Sequence, residues 1–294
     1  MKKLLLLGAV AFGLNSFGQV PSYVPTNGLE AWWEFNSNAL DESGNNNDGT
    51  VNGASLTADR FGNSNEAYSF DGIDDYIACG TVMDISTKQA ISISGWFYVE
   101  SVSSFNNQYT GLSFGTKDMG TVNLRVRTDS DYLFQAQHAD AGESNSISMR
   151  GDNSFYLNEW YHVVGIYADD TVSLFVNGLP QSYFTGIGNL LSSIPSSSIF
   201  KIGLSYGSSN TPAYYKGKLD DIGIWNRALT HCEVLSLYSQ QICTANNIEI
   251  SLNNHKEVIG IYDLMGRETV FTQNIPLIYL YDDGTRERVM KLEY

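Results

Sequence analysis

The chain has 294 residues, 32 of them Asp or Glu against 17 Lys or Arg, for a formal charge of −15, and the acidic residues are spread along its length with no basic cluster. That balance excludes nucleic acid and anionic lipid as partners, since both are bound by patches of Lys and Arg that neutralise phosphate. The 18 Tyr, 14 Phe and 5 Trp, with only 6 Pro among 27 Gly and many Ser and Asn, are the composition of an exported β protein.

Residues 1–18 read as a secretory signal peptide. Met1-Lys2-Lys3 precedes an apolar run from Leu4 to Leu14 that is too short for a membrane span, and Ser16-Phe17-Gly18 fits a small-x-small cleavage site, leaving Gln19 as the new N-terminus. Loss of Lys2 and Lys3 takes the charge from −15 to −17. No later stretch approaches the roughly 18 apolar residues that a span requires. The expectation is an exported chain with no membrane span, long enough for one large β domain and a small one.

From residue 29 to about 225, short apolar runs alternate with turn residues, as in "AISISGWFYVE", "TVNLRVRT", "WYHVVGIYADDTVSLFVNG" and "SIFKIGLSYG". These are strands. Tyr161 to Tyr167 and Val172 to Val176 flank Ala168-Asp169-Asp170 as a hairpin, and Asn177-Gly178 supplies the next turn. Many strands at near-regular spacing predict an all-β fold, a two-sheet jelly-roll sandwich. Trp32, Trp33, Trp96, Trp160 and Trp225 fall inside strands and belong to the core. The one helix is residues 230–240, with Thr230 and Glu233 in capping-box register. Of the three cysteines, Cys232 and Cys243 are close in sequence and form the expected disulfide, while Cys79 stands apart; three reduced thiols are the alternative. After a polar linker, 241–248, residues 249–294 form a small β-sandwich-type module of four short strands with turns at Asn253-Asn254, Gly266-Arg267 and Asp283-Gly284.

Catalytic motifs fail on context. Gly111 to Gly115 and Gly203 to Gly207 match G-x-S-x-G, but no helical pattern follows either, so neither is a nucleophile elbow. His138, His162, His231 and His255 are scattered without zinc-site spacing. In "FDGIDDYI", Asp71-Gly72 makes a turn, and Asp74 and Asp75 point to opposite faces of a strand, so they cannot flank one glycosidic bond. Asp220-Asp221 opens a strand on a largely apolar face: Asp220 shares its side with Ile222 and Ile224, and Asp221 with Leu219, Gly223 and Trp225. An aspartate there is costly unless it is paired or bound to a cation. Loop aromatics Tyr206, Tyr214 and Tyr215 are the candidate ligand-binding platforms for sugar rings.

The stretches "GLEAWWEFNSNALDESGNNNDGT", "ADRFGNSNEAYSFDGIDDYI", "ISISGWFYV", "WYHVVGIY", "LFVNG" and "GKLDDIGIWNRALTHCEVLSLY" resemble the laminin-G-like jelly-roll domain of the concanavalin A-like lectin and glucanase superfamily, over residues 28–240. The Glu-x-Asp-x-x-Glu strand of that superfamily's glucanases is missing. The resemblance therefore implies a secreted, non-catalytic module that binds carbohydrate or glycoconjugate at the cell surface or outside the cell. Glycoside hydrolase, lyase and protein-binding adhesin are the alternatives. It also implies structural calcium where an N-terminal loop meets the last strand, which nominates Asp41, Asp48, Asp220 and Asp221. "IGIYDLMGRET" and "PLIYLYDDGTRERVMKLE" resemble the C-terminal sorting domain of Bacteroidetes type IX secretion, which implies the type IX secretion machinery as a partner.

Overall fold

The computed structural model describes residues 20–101, 110–115, 121–126, 132–137, 146–150, 155–169, 171–181, 184–185, 191, 194–206, 212–243, 258–262, 277–281 and 286–289. Residues 1–18, expected as a signal peptide, His138, His255 and the three turns expected in the tail lie outside the described residues. Two compact units divide between Ile242 and Cys243. Among the described residues the second is an antiparallel three-stranded sheet, Val258–Tyr262, Leu277–Tyr281 and Arg286–Val289, where four strands were expected.

The first unit is a sandwich of two antiparallel sheets. In chain order the strands are β1 (Leu29–Trp33), β2 (Thr50–Asn52), β3 (Ser55–Thr57), β4 (Ala67–Asp71), β5 (Tyr76–Ala78), β6 (Ala90–Val99), β7 (Thr110–Gly115), β8 (Thr121–Val126), β9 (Tyr132–Gln137), β10 (Ser146–Arg150), β11 (Trp160–Ala168), β12 (Thr171–Val176), β13 (Leu179–Pro180), β14 (Phe184–Thr185), β15 (Phe200–Ile202), β16 (Leu204–Tyr206), β17 (Pro212–Tyr214) and β18 (Lys216–Trp225). One sheet runs β13-β12-β11-β6-β18-β4-β3, with β1 on β18 and β14 on β12; the other runs β10-β9-β8-β7-β15-β5-β2, and β16 pairs with β17. The order is the jelly-roll arrangement that the strand spacing predicts.

The hairpins form where turn chemistry asks for them. Ala168 pairs with Thr171 and Val176 with Leu179, each across two residues, and Asp169, Asn177 and Gly178 take positive φ as hairpin turns require. Gly203 also has positive φ and separates β15 from β16, so "SIFKIGLSYG" is two strands rather than one. Gly111 to Gly115 lies in β7 and Leu204 to Tyr206 is β16, and Ser113 is buried with Oγ donating to the Leu204 carbonyl.

β6 is buried on both faces. Ile91, Ile93, Phe97 and Val99 enter the core between the sheets. Ser92, Ser94 and Trp96 face outward, where a third layer covers them. Val24, Trp32, Val164, Ile166, Trp225, Leu229, Val234 and Leu237 form a second cluster there, roofed by the segment after Val20 and by helix α1 (His231–Ser239). Ser92 Oγ donates to the Arg227 carbonyl and accepts from Leu229 N, so even the polar outward positions are bonded to this roof. Four of the five tryptophans are buried and Trp160 is half-buried against Tyr98.

Helix α1 starts at the expected place. Thr230 Oγ1 accepts from Glu233 N while the Glu233 carboxylate accepts from Thr230 N, and the helix ends where Gln240 turns left-handed at φ 55°. Cys232 and Cys243 are disulfide-bonded; Cys79 is a buried free thiol. The bond closes a short loop across the helix C-terminus. Replacing both cysteines by serine is expected to cost about 2–3 kcal/mol in chemical denaturation, read from tryptophan fluorescence.

Candidate functional site

The strand carrying Asp220 and Asp221 departs from regular alternation. Asp220 pairs with Trp96 and Gly223 with Ser94, so Asp221 and Ile222 together oppose Gly95 alone. This is a β-bulge, and Asp221 sits at φ 48°. The extra residue lets Ile222 and Ile224 enter the core while both aspartates face the roofed side. The opposite-face reading of this pair is therefore corrected. Gly95 allows it, because a Cβ there would lie 2.6 Å from Ile222 Cδ1.

Both carboxylates meet one guanidinium. Arg60 Nη1 is 2.6 Å from Asp220 Oδ2 and Nη2 is 2.6 Å from Asp221 Oδ2, and the Arg60 side chain is 7% exposed. The loop after β3 delivers it. Asp59 Oδ1 accepts from Phe61 N and Asn63 N, Oδ2 accepts from Asn63 Nδ2, and Gly62 completes the turn at φ 89°. This knot aims Arg60 inward, its guanidinium 4.4 Å from the Trp96 ring and 4.7 Å from that of Phe61. Phe61 itself is 65% exposed.

Around this pair lies a cavity of about 170 Å³, lined also by Tyr23, Glu34, Asn36, Glu66 and Gln240. Gln240 Nε2 donates to Tyr23 Oη, so the helix terminus and the N-terminal segment close one wall. Burial, reinforced by the charges of Asp221 and Glu34, pushes the Tyr23 hydroxyl up. Burial also raises the Asp220 carboxyl, since a single guanidinium serves two carboxylates; Asp221 is raised for the same first reason, against the pull of Arg60. Behind Trp96, His162 is buried and hydrogen-bonded through Nε2 to Ser94 Oγ, and burial, with the Arg60 charge, lowers its pKa to about 3. His162 is neutral and structural.

Glu34 titrates in the physiological range. Burial, then the charges of Asp221 and Glu42, raise it to about 7. A carboxyl raised in the folded state contributes its full stability below the unfolded value, and that stability is lost as pH rises through the folded value. Glu34→Gln is thus expected to stabilise the protein above pH 7, by about 1 kcal/mol after allowing for the screening of a half-buried group, and to change nothing below about pH 4.5. Melting curves at both ends of that window check it.

The four aspartates nominated for calcium do not form one ligand group. Asp41 Oδ1 accepts from Trp32 N and Ser43 N, its Oδ2 accepts from Ser43 Oγ and Asn47 N, and Asp48 Oδ1 accepts from Asp41 N. They organise their own loop. Asp220 and Asp221 hold Arg60 in place of a metal, so these four residues do not fit calcium. Among the described residues the carboxylates brought together are those of Asp71, Asp74 and Asp75, within 4.8 Å of one another. There Asp71 Oδ1 accepts from Ile73 N and Asp74 N, and Asp75 Oδ2 from Asp71 N, which is the expected turn; but Asp74 and Asp75 precede β5 and their carboxylates converge, so the opposite-face reading of that pair is corrected.

Of the proposed sugar platforms, Tyr215 is 1% exposed, wedged edge-on against Phe70 and Phe97, and cannot be one. It sits just before the inward-facing positions of β18. Tyr214 is half-buried in β17 and does not line the cavity; Tyr206 ends β16, and its side chain lies outside the described residues. Arg60, Phe61, Glu34 and Tyr23 went unread in the sequence. The signal available was the buried Asp pair, which demands a cation, beside a chain with few arginines.

The family model for laminin-G-like domains, described as the concanavalin A-like lectin/glucanases superfamily, matches residues 71–235, over half the chain. The chain belongs to this superfamily. Among solved structures, this concanavalin A-like chain is similar to domain 4 of AbnA, an extracellular arabinanase of Geobacillus stearothermophilus solved with arabinotriose, at 19% identity and TM-score 0.56 over 71% of this chain and 98% of that one. It is similar to Trypanosoma rangeli sialidase solved with the inhibitor DANA, at 20% and 0.53 over 75% of this chain but only 34% of the sialidase. The receptor binding domain of botulinum neurotoxin C/D mosaic serotype matches at 13% and 0.54, over 90% and 73%. At these identities the likeness is one of fold. No curated protein matches the sequence.

Proposed function

We propose that the jelly-roll unit binds a saccharide in the Arg60 cavity, as a non-catalytic module outside the cell. One observation carries this reading: carboxylate and amide side chains, Glu34, Asn36, Asn63 and Glu66, converge on a cavity with an exposed phenyl ring, Phe61, at its edge. Sugar rings present hydroxyls around their rim and apolar C–H groups on their faces, so planar polar groups beside an aromatic face suit them. At about 170 Å³ the cavity is smaller than the roughly 300–1,000 Å³ of drug-sized sites and suits a single ring. The arabinotriose and sialidase complexes of similar folds support the same class of ligand.

The test is a panel of soluble glycans added to the full chain during thermal unfolding. A ligand of the native state at a hundredfold excess over its dissociation constant adds about 2.7 kcal/mol. The shift should vanish in Phe61→Ala and Asn63→Ala. No shift with any glycan would replace this reading with a protein-binding adhesin.

Hydrolysis is the second reading, favoured by Glu34, whose carboxyl at about 7 could donate a proton at neutral pH. Reducing-end release that disappears in Glu34→Gln would establish it. For the unit from Cys243 onward we propose a secretion address read by the type IX machinery, supported by the DLMGRE and YDDGT segments. Deleting residues 249–294 is then expected to stop the protein reaching the cell surface and medium.

A further inference from the structure

The lining of the cavity is one-sided in charge. Glu34, Asp59, Glu66, Asp220 and Asp221 face a single cation, Arg60. The charge of Arg60 is largely committed, because each Nη donates to an aspartate and the side chain is 7% exposed. Asp59 is spent on its own loop, its two oxygens taken by Phe61 N, Asn63 N and Asn63 Nδ2. What remains for a ligand is the Glu66 carboxyl, the Glu34 carboxyl with Asn36 hydrogen-bonded to it, the Oδ1 of Asn63 and the exposed face of Phe61. Carboxyl acceptors dominate, and the one guanidinium of the lining is already paired with two aspartates.

Building on the saccharide reading above, we propose that this cavity ranks sugars by charge: a protonated amino sugar binds best, a neutral sugar less well, and an acidic sugar is excluded. An ammonium group beside Glu34 and Glu66 gains two charge-assisted hydrogen bonds and the negative face of Phe61. A sugar carboxylate in the same place meets like charge in a partly desolvated pocket, which is how binding sites reject a competitor. Glu34 supports this: burial first, and then the charges of Asp221 and Glu42, hold its proton to about 7, so a cation there offsets a repulsion that an anion would deepen. Sialic acid, the ligand class of a similar fold, would be refused.

The experiment uses the full chain and matched β-1,4-linked trisaccharides of glucosamine, glucose and glucuronic acid, titrated calorimetrically at about pH 7, where about half of Glu34 is ionised, part of the amino groups carries a proton and the glucuronate carboxyls stay charged. The amino sugar is expected to bind on the order of tenfold or more tighter than the glucose trimer, and the acidic trimer to show no binding. The gap should close in high salt. It should also close in Glu34→Gln/Glu66→Gln, and persist in Asp71→Asn/Asp74→Asn, which removes as much charge from an exposed cluster elsewhere. Equal affinities, a reversed order, or an equal response in both double variants would overturn the charge ranking and leave the saccharide reading standing. Binding by none of the three, nor by any glycan of the neutral panel, would overturn both.

Discussion

Arg60→Met should unfold the jelly-roll unit far more easily, with a loss of about 3–5 kcal/mol at neutral pH. Among the described residues Arg60 is the sole counter-charge for two carboxylates, Asp220 and Asp221, that are 2% and 6% exposed, and removing it strands both. The cost should shrink in acid, where protonation neutralises the aspartates. It should also shrink in Arg60→Met/Asp220→Asn/Asp221→Asn, since the penalty belongs to uncompensated charge and not to lost volume. Asp220→Asn alone is expected to be close to neutral, because one guanidinium then serves one carboxylate. Urea unfolding followed by tryptophan fluorescence measures all of these on the full chain, as all five tryptophans precede Cys243 and report the first unit. A loss under 1 kcal/mol for Arg60→Met would mean that water reaches the pair.

Trp225→Ala is expected to cost about 3–5 kcal/mol through the cavity it leaves. Trp225 is fully buried, its ring centroid 6.4 Å from that of Trp32, and it lies over Gly223, where a Cβ would come within 2.4 Å of the ring. Its Nε1 donates to the Pro25 carbonyl, fastening the N-terminal segment to the sheet. Trp225→Phe keeps most of the ring but leaves that carbonyl without its donor, so a loss of about 1–3 kcal/mol is expected. Both variants should expose residues 20–28 to limited proteolysis in the native state. Both should also weaken any ligand of the cavity, because Tyr23 on that segment lines it.

The two predictions share a structural cause. In a half-solvated sandwich the outward face of β6, β11 and β18 would be polar; here it is covered, so β6 reads Ile91-Ser92-Ile93-Ser94 with serines that bond to the roof and to His162. The wall around Arg60 is built where the roof stops. Tyr23 and Gln240 come from opposite ends of the unit and meet across it.

Much of this was legible along the chain. Strand alternation, hairpin turns at Asp169 and Asn177-Gly178, and the Thr230/Glu233 capping box are local signals, carried by residues that act on their own neighbours, and the chain follows them. The Cys232–Cys243 pairing is equally local. The candidate site was half legible. The Asp220-Asp221 pair announces that a cation must be near, but alternation assumes a regular strand, and a bulge depends on what β6 offers opposite it, namely Gly95. The same limit misplaced Tyr215: beside Tyr214 it reads as part of an exposed loop until the strand that follows turns it into the core.

Local patterning was thus enough for the class of fold, the turns, the helix cap and the acidic character of the surface, because each depends on interactions over a few residues. The identity of the counter-ion was not available at that level. Arg60 and Asp220 stand 160 positions apart in the chain, and only the pairing of β18 with β6 and β4, with the Asp59 loop folded over it, brings guanidinium rather than metal to the aspartates. Charge compensation in a buried site is a property of what packing excludes from water, and no stretch of sequence carries that information alone.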